Sequence, residues 1–309
     1  MATTYEMIYT NRFTAGKRME LTQYYIALLH IVYFLISLAL PSIIIENLVN
    51  MWMFGMVTCA SHFILITSGR AVIGWILVFI VVDQMVFSEF WKLLKRIDLQ
   101  RVFYASLTFI FVFAFLVVAP SLFYIKVIVY QEYSKIANFR IDTYMCSTIL
   151  PKQVSLYSNA FAAVFDYIVP IALVIVLLTM FLGKISMRKP NPSQQNQWKI
   201  NAYIILLTSL HFLAYLPHWI AIFMLFIAEN RSLQISETVL QLLRQLVLLL
   251  PHLTAAFAWI PLSNLSSLLL ERARNSRNCS PAGSTYNKLL RPKRHMTGIS
   301  RTWIEESCI

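Results

Sequence analysis

The chain has 309 residues, of which 58% are hydrophobic and only 13% charged, with a mean hydropathy of +0.64. A soluble domain carries roughly a quarter of its residues as charges, so this composition excludes an ordinary water-soluble fold and points to a chain that crosses a membrane several times. The net charge of +12 does not require a nucleic-acid partner, because most basic residues stand in short segments beside apolar runs, where orientation in a lipid bilayer accounts for them.

The opening MATTYEMIYTNRFTAGKRME holds no apolar stretch of signal-peptide length, so the insertion signal falls to the first hydrophobic helix. Crossing about 30 Å of hydrocarbon takes about 20 apolar residues. Runs that meet this lie at residues 22–46, 56–90, 102–129, 157–184, 200–228 and 236–270, which predicts an all-α membrane protein with six spans. The second run, interrupted only by Ser68, Gly69 and Arg70, reads either as two short helices or as one long tilted helix.

Loop charge selects the single helix. With six spans and both ends inside, nineteen of the 26 Lys and Arg lie on the inner side, and the outer loops hold Lys135, Arg140, Lys152 and Arg231. Splitting the run weakens that asymmetry. The expected layout is an inner amino-terminal segment over 1–21, a transmembrane bundle over 22–270 and a basic inner tail over 271–309. An outer loop of about 27 residues carries Cys146, and RKPNPSQQNQWK, 188–199, reads as an inner loop. Beyond Glu271 the basic, Ser-rich composition predicts a short amphipathic continuation and then disorder.

Four cysteines are too few and too scattered for a disulfide scaffold or a metal cluster, although one pair is possible. There is no Gly-rich phosphate loop, no HExxH, no pair of intramembrane aspartates at protease spacing and no nucleophile elbow. The expectation is a protein with no catalytic residues, cofactor or metal site. Charges inside a bilayer cost about 2.5–3.5 kcal/mol each on insertion, so Arg70, Asp83, Asp166 and Arg244 each invite a partner or a function. Arg70 could pair with Asp166, or could snorkel or meet a backbone carbonyl. Asp83 stands nine residues before the first of Lys92, Lys95 and Arg96 and is expected to contact that loop. His211 reads as a hydrogen-bonded core histidine or as a switch element. Asn230-Arg-Ser232 is a glycosylation sequon on an expected outer loop.

The order of several motifs resembles that of rhodopsin-like (class A) G-protein-coupled receptors. MWMFGMVTC, Met51 to Cys59, is similar to the family's first outer loop, whose cysteine opens a helix and bridges to the second outer loop. GKRMELTQYYIALLHIVYFLISLALP looks like the first inner loop and second helix, with Pro41 near the outer end. Pro120 and Pro170 resemble the prolines of the fourth and fifth helices, FLAYLPHW (Phe212 to Trp219) the sixth-helix pattern, and WIPLSN (Trp259 to Asn264) the seventh. The likeness covers about residues 15–275.

This resemblance implies a Cys59–Cys146 disulfide, the alternative being two free thiols. It implies a ligand cavity faced by Arg70, Asp166, Tyr215 and Trp219, and an inner G-protein-facing site at Asp83 and Gln84. Two departures accompany it. The family's first helix has no counterpart, as IYTNRFTAGKRM already looks like the exit from it. Gln84 stands where the family carries arginine and cannot supply that charge. The implied function is a cell-membrane receptor sensing an extracellular small molecule or peptide and signalling to a heterotrimeric G protein. The alternatives are a six-helix transporter or channel subunit and a truncated, non-signalling receptor. A polar pore stripe or broken helices would favour the former, and neither is seen.

Overall fold

The computed structural model describes residues 21–49, 51–86, 99–134, 139–186, 195–231 and 237–278. Among them six helical stretches are long and apolar enough to cross a membrane, and they pack as a bundle. The chain is a multi-pass membrane protein.

The first span, Leu21–Val49, consists of α1 (Leu21–Leu38) and α2 (Leu40–Val49). The break at Ala39 follows from Pro41, which has no N–H to offer the Ser37 carbonyl one turn earlier. The Ala39 N–H turns back to the Ile36 carbonyl at 3.1 Å, and the Ser42 hydroxyl donates to the Ala39 carbonyl at 2.8 Å. The second span is one unbroken helix, α3 (Gly55–Val86), so the reading as two short helices is set aside. Gly55 opens it at φ +75°, a left-handed conformation that suits glycine.

The third run is shorter than its apolar length implies. Helix α4 (Leu99–Leu122) ends before the expected boundary at 129, and the chain turns into strand β1 (Ile125–Ser134), paired antiparallel with β2 (Phe139–Thr148). Apolar runs do not by themselves distinguish helix from strand, and Ile125, Val127, Ile128 and Val129 are β-branched residues that suit a pleated surface. The expected long loop is therefore a hairpin. It is anchored where the Trp52 N–H donates to the Tyr144 carbonyl at 2.7 Å and where Cys146, opposite Val127, is joined to Cys59.

The fourth span is α5 (Lys152–Ala162), a π-helical turn (Ala163–Ile168) and α6 (Val169–Ser186). The last two spans lie within α7 (Gln195–Arg231), which contains Pro217, and α8 (Glu237–Asn278). Asn230 lies in the last turn of α7 rather than in a loop, and Ser232 of its sequon falls outside the described residues. Helix α8 continues past the expected bundle boundary at 270; residues 279–309 and the loop of Lys92 to Arg96 also lie outside the description.

The core forms where four helices converge. Tyr25, Ile26 and Leu29 of α1 meet Ile73, Ile76, Leu77 and Ile80 of α3, Ile200, Ile204 and Leu207 of α7, and Leu262, Leu265 and Leu269 of α8. In lipid, apolar burial alone gives helices little reason to associate, so close contact and polar bonds carry more of the assembly. Gly69 provides one such contact, since an added Cβ would lie 2.7 Å from the Ile36 side chain. Helix α4 presents Phe111, Val112, Phe115 and Leu116 outward, as a lipid-facing helix should.

Candidate functional site: a caged arginine beneath the disulfide

The site begins with the disulfide. Cys59, fully buried near the start of α3, is bonded to Cys146 of β2, with 5.7 Å between their Cα atoms. Trp52, Cys59 and Ile125 form a small apolar cluster around it, and the Trp52 indole N–H donates to the Gly55 carbonyl at 2.8 Å. The aromatic-glycine turn before Cys59 thus fixes the mouth of α3, and the bridge pins the hairpin to that helix.

Eleven residues further along α3, about 16 Å at helical rise, stands Arg70. The structure brings it to Asp166, with Nε 3.6 Å from Oδ2; the carboxylate side chain is fully shielded from solvent and the guanidinium nearly so. Two further groups share the charge. Arg70 Nη1 donates to His218 Nε2 at 2.7 Å, which requires a lone pair on that ring nitrogen, and the guanidinium carbon lies 4.9 Å from the centre of the Trp219 ring. Trp219 also faces Tyr167, whose hydroxyl donates to the Phe212 carbonyl at 2.9 Å.

Local backbone irregularity delivers Asp166. It lies in the π-helical turn just before Pro170, where the Val169 N–H bonds the Val164 carbonyl five residues back. Pro170 cannot serve the Asp166 carbonyl, and α3 approaches that carbonyl closely because residue 74 is glycine. A Cβ there would stand 3.1 Å from it. The carboxylate oxygens make no hydrogen bond of normal geometry, nor does Arg70 Nε, so the pair is held mainly by charge in a dry setting.

Tyr215 is placed differently from the other three expected ligand residues. Its ring is almost fully buried and packs against His211 at 4.7 Å, in a cluster with Ala71, Phe113, Val117, Ala162 and Trp219. It supports the cage from below rather than forming its wall. His211 is a core residue whose ring meets Phe212 edge-on and Tyr215 at a tilt. His218 was missed in the sequence reading; the signal for it was its place between Pro217 and Trp219, one helical turn beyond Tyr215.

At the other end of α3, Asp83 and Gln84 are both buried. The Thr22 hydroxyl of α1 donates to Asp83 Oδ2 and accepts from Gln84 Nε2 at 2.6 Å. In this arrangement Asp83 is engaged by α1, a partner that its distance to the basic loop did not foretell, and neither side chain faces outward.

No family model matches the chain. It is similar to a probable G-protein coupled receptor of Caenorhabditis elegans, 23% identical over 291 residues that make up 91% of this chain and 65% of that protein. It is also similar to neuropeptide receptor 18 of the same organism, 25% identical over 225 residues, 66% of this chain and 47% of that one. The chain thus spans less than two thirds of the length of either relative. Their names point to a receptor rather than an enzyme.

Proposed function

We propose that the chain is a rhodopsin-like G-protein-coupled receptor of the cell membrane whose ligand is a peptide. Its six spans correspond to the second through seventh helices of that architecture. The observation that carries this reading is the buried Arg70–Asp166 pair lying inward of a disulfide-pinned hairpin. A structural ion pair of this kind between two spans is costly to bury. It becomes useful if a ligand bearing both charges can divide it, its carboxylate taking Arg70 and its ammonium taking Asp166, while Trp219 stacks against an apolar side chain. The name of one relative, a neuropeptide receptor, supports a peptide over a small odorant, and the absence of a lysine in the last helix argues against a retinal pigment. The G protein would dock at the end of α3 that carries Asp83 and Gln84.

One observation favours a second reading. Gln84 is neutral and tied to Thr22, so α3 carries no arginine at this end that could swing out to a G protein. A receptor-shaped protein that binds ligand or partner receptors without coupling follows from that feature.

The test is to express the full chain in cells, verify surface display, and challenge it with a synthetic library of short free-acid and amidated peptides while recording G-protein recruitment. A peptide response that falls at least about tenfold in Trp219→Ala and Asp166→Asn at equal surface display is expected, that being the loss of about 1.4 kcal/mol of contact. Normal surface display with no recruitment by any peptide would overturn signalling and leave the second reading.

A further inference from the structure

A pair of histidines lies outside the cage, near the disulfide, and nothing in the proposed ligand mechanism uses it. His62 stands three residues after Cys59 on α3, and His252 sits near the start of the apolar part of α8; both are about 5% exposed, and their ring centres are 6.4 Å apart. We propose that His62 and His252 form an open site for a zinc-class divalent cation that bridges α3 and α8.

The hydrogen bonds around His62 prepare it for this role. The single hydroxyl proton of Ser42 is spent on the Ala39 carbonyl at 2.8 Å. At its 3.3 Å contact with His62 Nδ1, Ser42 Oγ is therefore the acceptor, and Nδ1 carries the imidazole proton. Nε2 is left with its lone pair, which is the form that binds a metal, with a hydroxyl holding the opposite nitrogen as an outer partner. The Ala39 carbonyl and Ser42 occupy those positions because Pro41 breaks the first span, so the kink has a chemical consequence at α3.

His252 supplies the second observation. Neither of its ring nitrogens makes a hydrogen bond of normal geometry, although the ring is nineteen-twentieths buried and faces the Ile36 carbonyl. A buried imidazole whose only polar neighbour is a poorly aligned carbonyl is costly, and a metal ion bound to its other nitrogen relieves that cost. Two imidazoles on one tetrahedral ion, with metal–nitrogen distances of about 2.0–2.1 Å, place their ring centres about 5 Å apart. The present spacing of 6.4 Å closes to that with a shift of little more than an ångström.

Among the described residues no three His, Cys, Asp or Glu side chains group closely enough to enclose a metal. The protein therefore contributes two ligands and solvent completes the shell, which defines an open, exchangeable site rather than a structural one. Nitrogen donors select zinc, copper or nickel over magnesium or calcium.

The experiment uses the full chain purified in detergent. Zinc chloride at about 100 μM is expected to raise the midpoint of thermal unfolding by at least about 2 °C, reversed by a chelator, since a ligand that binds only the folded state stabilises it. The gain should vanish in His62→Asn and in His252→Asn. Copper substitution followed by electron paramagnetic resonance provides a reading that does not depend on the variants folding, and imidazole nitrogen couplings are expected. The proposal is overturned by an unchanged midpoint with zinc, by an equal shift with magnesium, by a zinc shift that survives in the double variant, or by copper spectra without nitrogen couplings.

Discussion

The two ends of α3 solve the problem of a buried polar group in opposite ways. Toward the disulfide, Arg70 and Asp166 are full charges that meet at 3.6 Å without a good hydrogen bond, with the guanidinium shared among a carboxylate, an imidazole and an indole face. Toward the other end, Thr22 joins Asp83 and Gln84 through one hydroxyl that both gives and receives a hydrogen bond. The first arrangement is strong in charge and poor in geometry. The second is strong in geometry and uses a neutral amide in place of a guanidinium. Loose geometry at the first site leaves its charges able to exchange partners, whereas the hydrogen-bonded site resists change until a bond is broken.

The largest effect should come from breaking the charged end. Asp166→Ala leaves Arg70 with an uncompensated charge in a dry setting, and losing one partner of a buried pair costs about 3–5 kcal/mol. Surface expression should fall severely. Replacing both residues by apolar ones of similar size, Arg70→Met with Asp166→Leu, removes the charges together and should restore display to near the wild-type level while abolishing any ligand response. Flow cytometry of a surface tag distinguishes the outcomes. If the double variant displays no better than Asp166→Ala, the pair is not isolated and another charge depends on it.

Much of this first site was legible in the sequence because charges in apolar runs are few. Arg70 and Asp166 stood out by type and depth alone, and Cys59 and Cys146 by a family likeness whose implied bridge is present in the structure. The six spans were legible for a similar reason: a continuous apolar run of bilayer length has few alternatives. What was missed depends on backbone irregularity and on contacts distant in sequence. The strand after Leu122 continues the apolar run, so composition hid the change from helix to hairpin. The π-helical turn that aims Asp166 leaves no pattern except the nearby Pro170. His218 contacts Arg70 across 148 residues, and Thr22 reaches Asp83 across 61. Thr22, an ordinary residue at the edge of a run, gave no signal that it would organise the ends of α1 and α3 remote from the disulfide.

An intermediate effect is expected at that hydrogen-bonded end. Thr22→Val keeps the shape of the side chain and removes both bonds, which for a buried group costs about 1–3 kcal/mol. Thr22→Ser keeps the hydroxyl and should cost less than half as much. The ordering of Asp166→Ala above Thr22→Val above Thr22→Ser, read as thermal midpoints in one detergent, tests the contrast between the two ends directly. A Thr22→Val loss equal to that of Asp166→Ala would mean that the hydroxyl bridge, not the ion pair, dominates the cohesion of α3 with its neighbours.

The smallest effect sharpens why the charged end is loose. Gly74→Ala adds a single methyl that would sit 3.1 Å from the Asp166 carbonyl oxygen, a backbone atom that cannot turn aside as a side chain can. Helix α3 and the π-helical turn must then separate by a few tenths of an ångström, at a cost of about 1 kcal/mol. Because Arg70 sits one turn from residue 74 on the same helix, that separation lengthens the ion pair, which is already beyond hydrogen-bond distance. Gly69→Ala provides the control, since its methyl meets the Ile36 side chain of α1 and does not touch the fourth span. If Asp166 is aimed by the close approach at Gly74, Gly74→Ala should weaken ligand response more than Gly69→Ala at equal thermal midpoint. Equal responses would assign the aim of Asp166 to Pro170 and the π-helical turn alone.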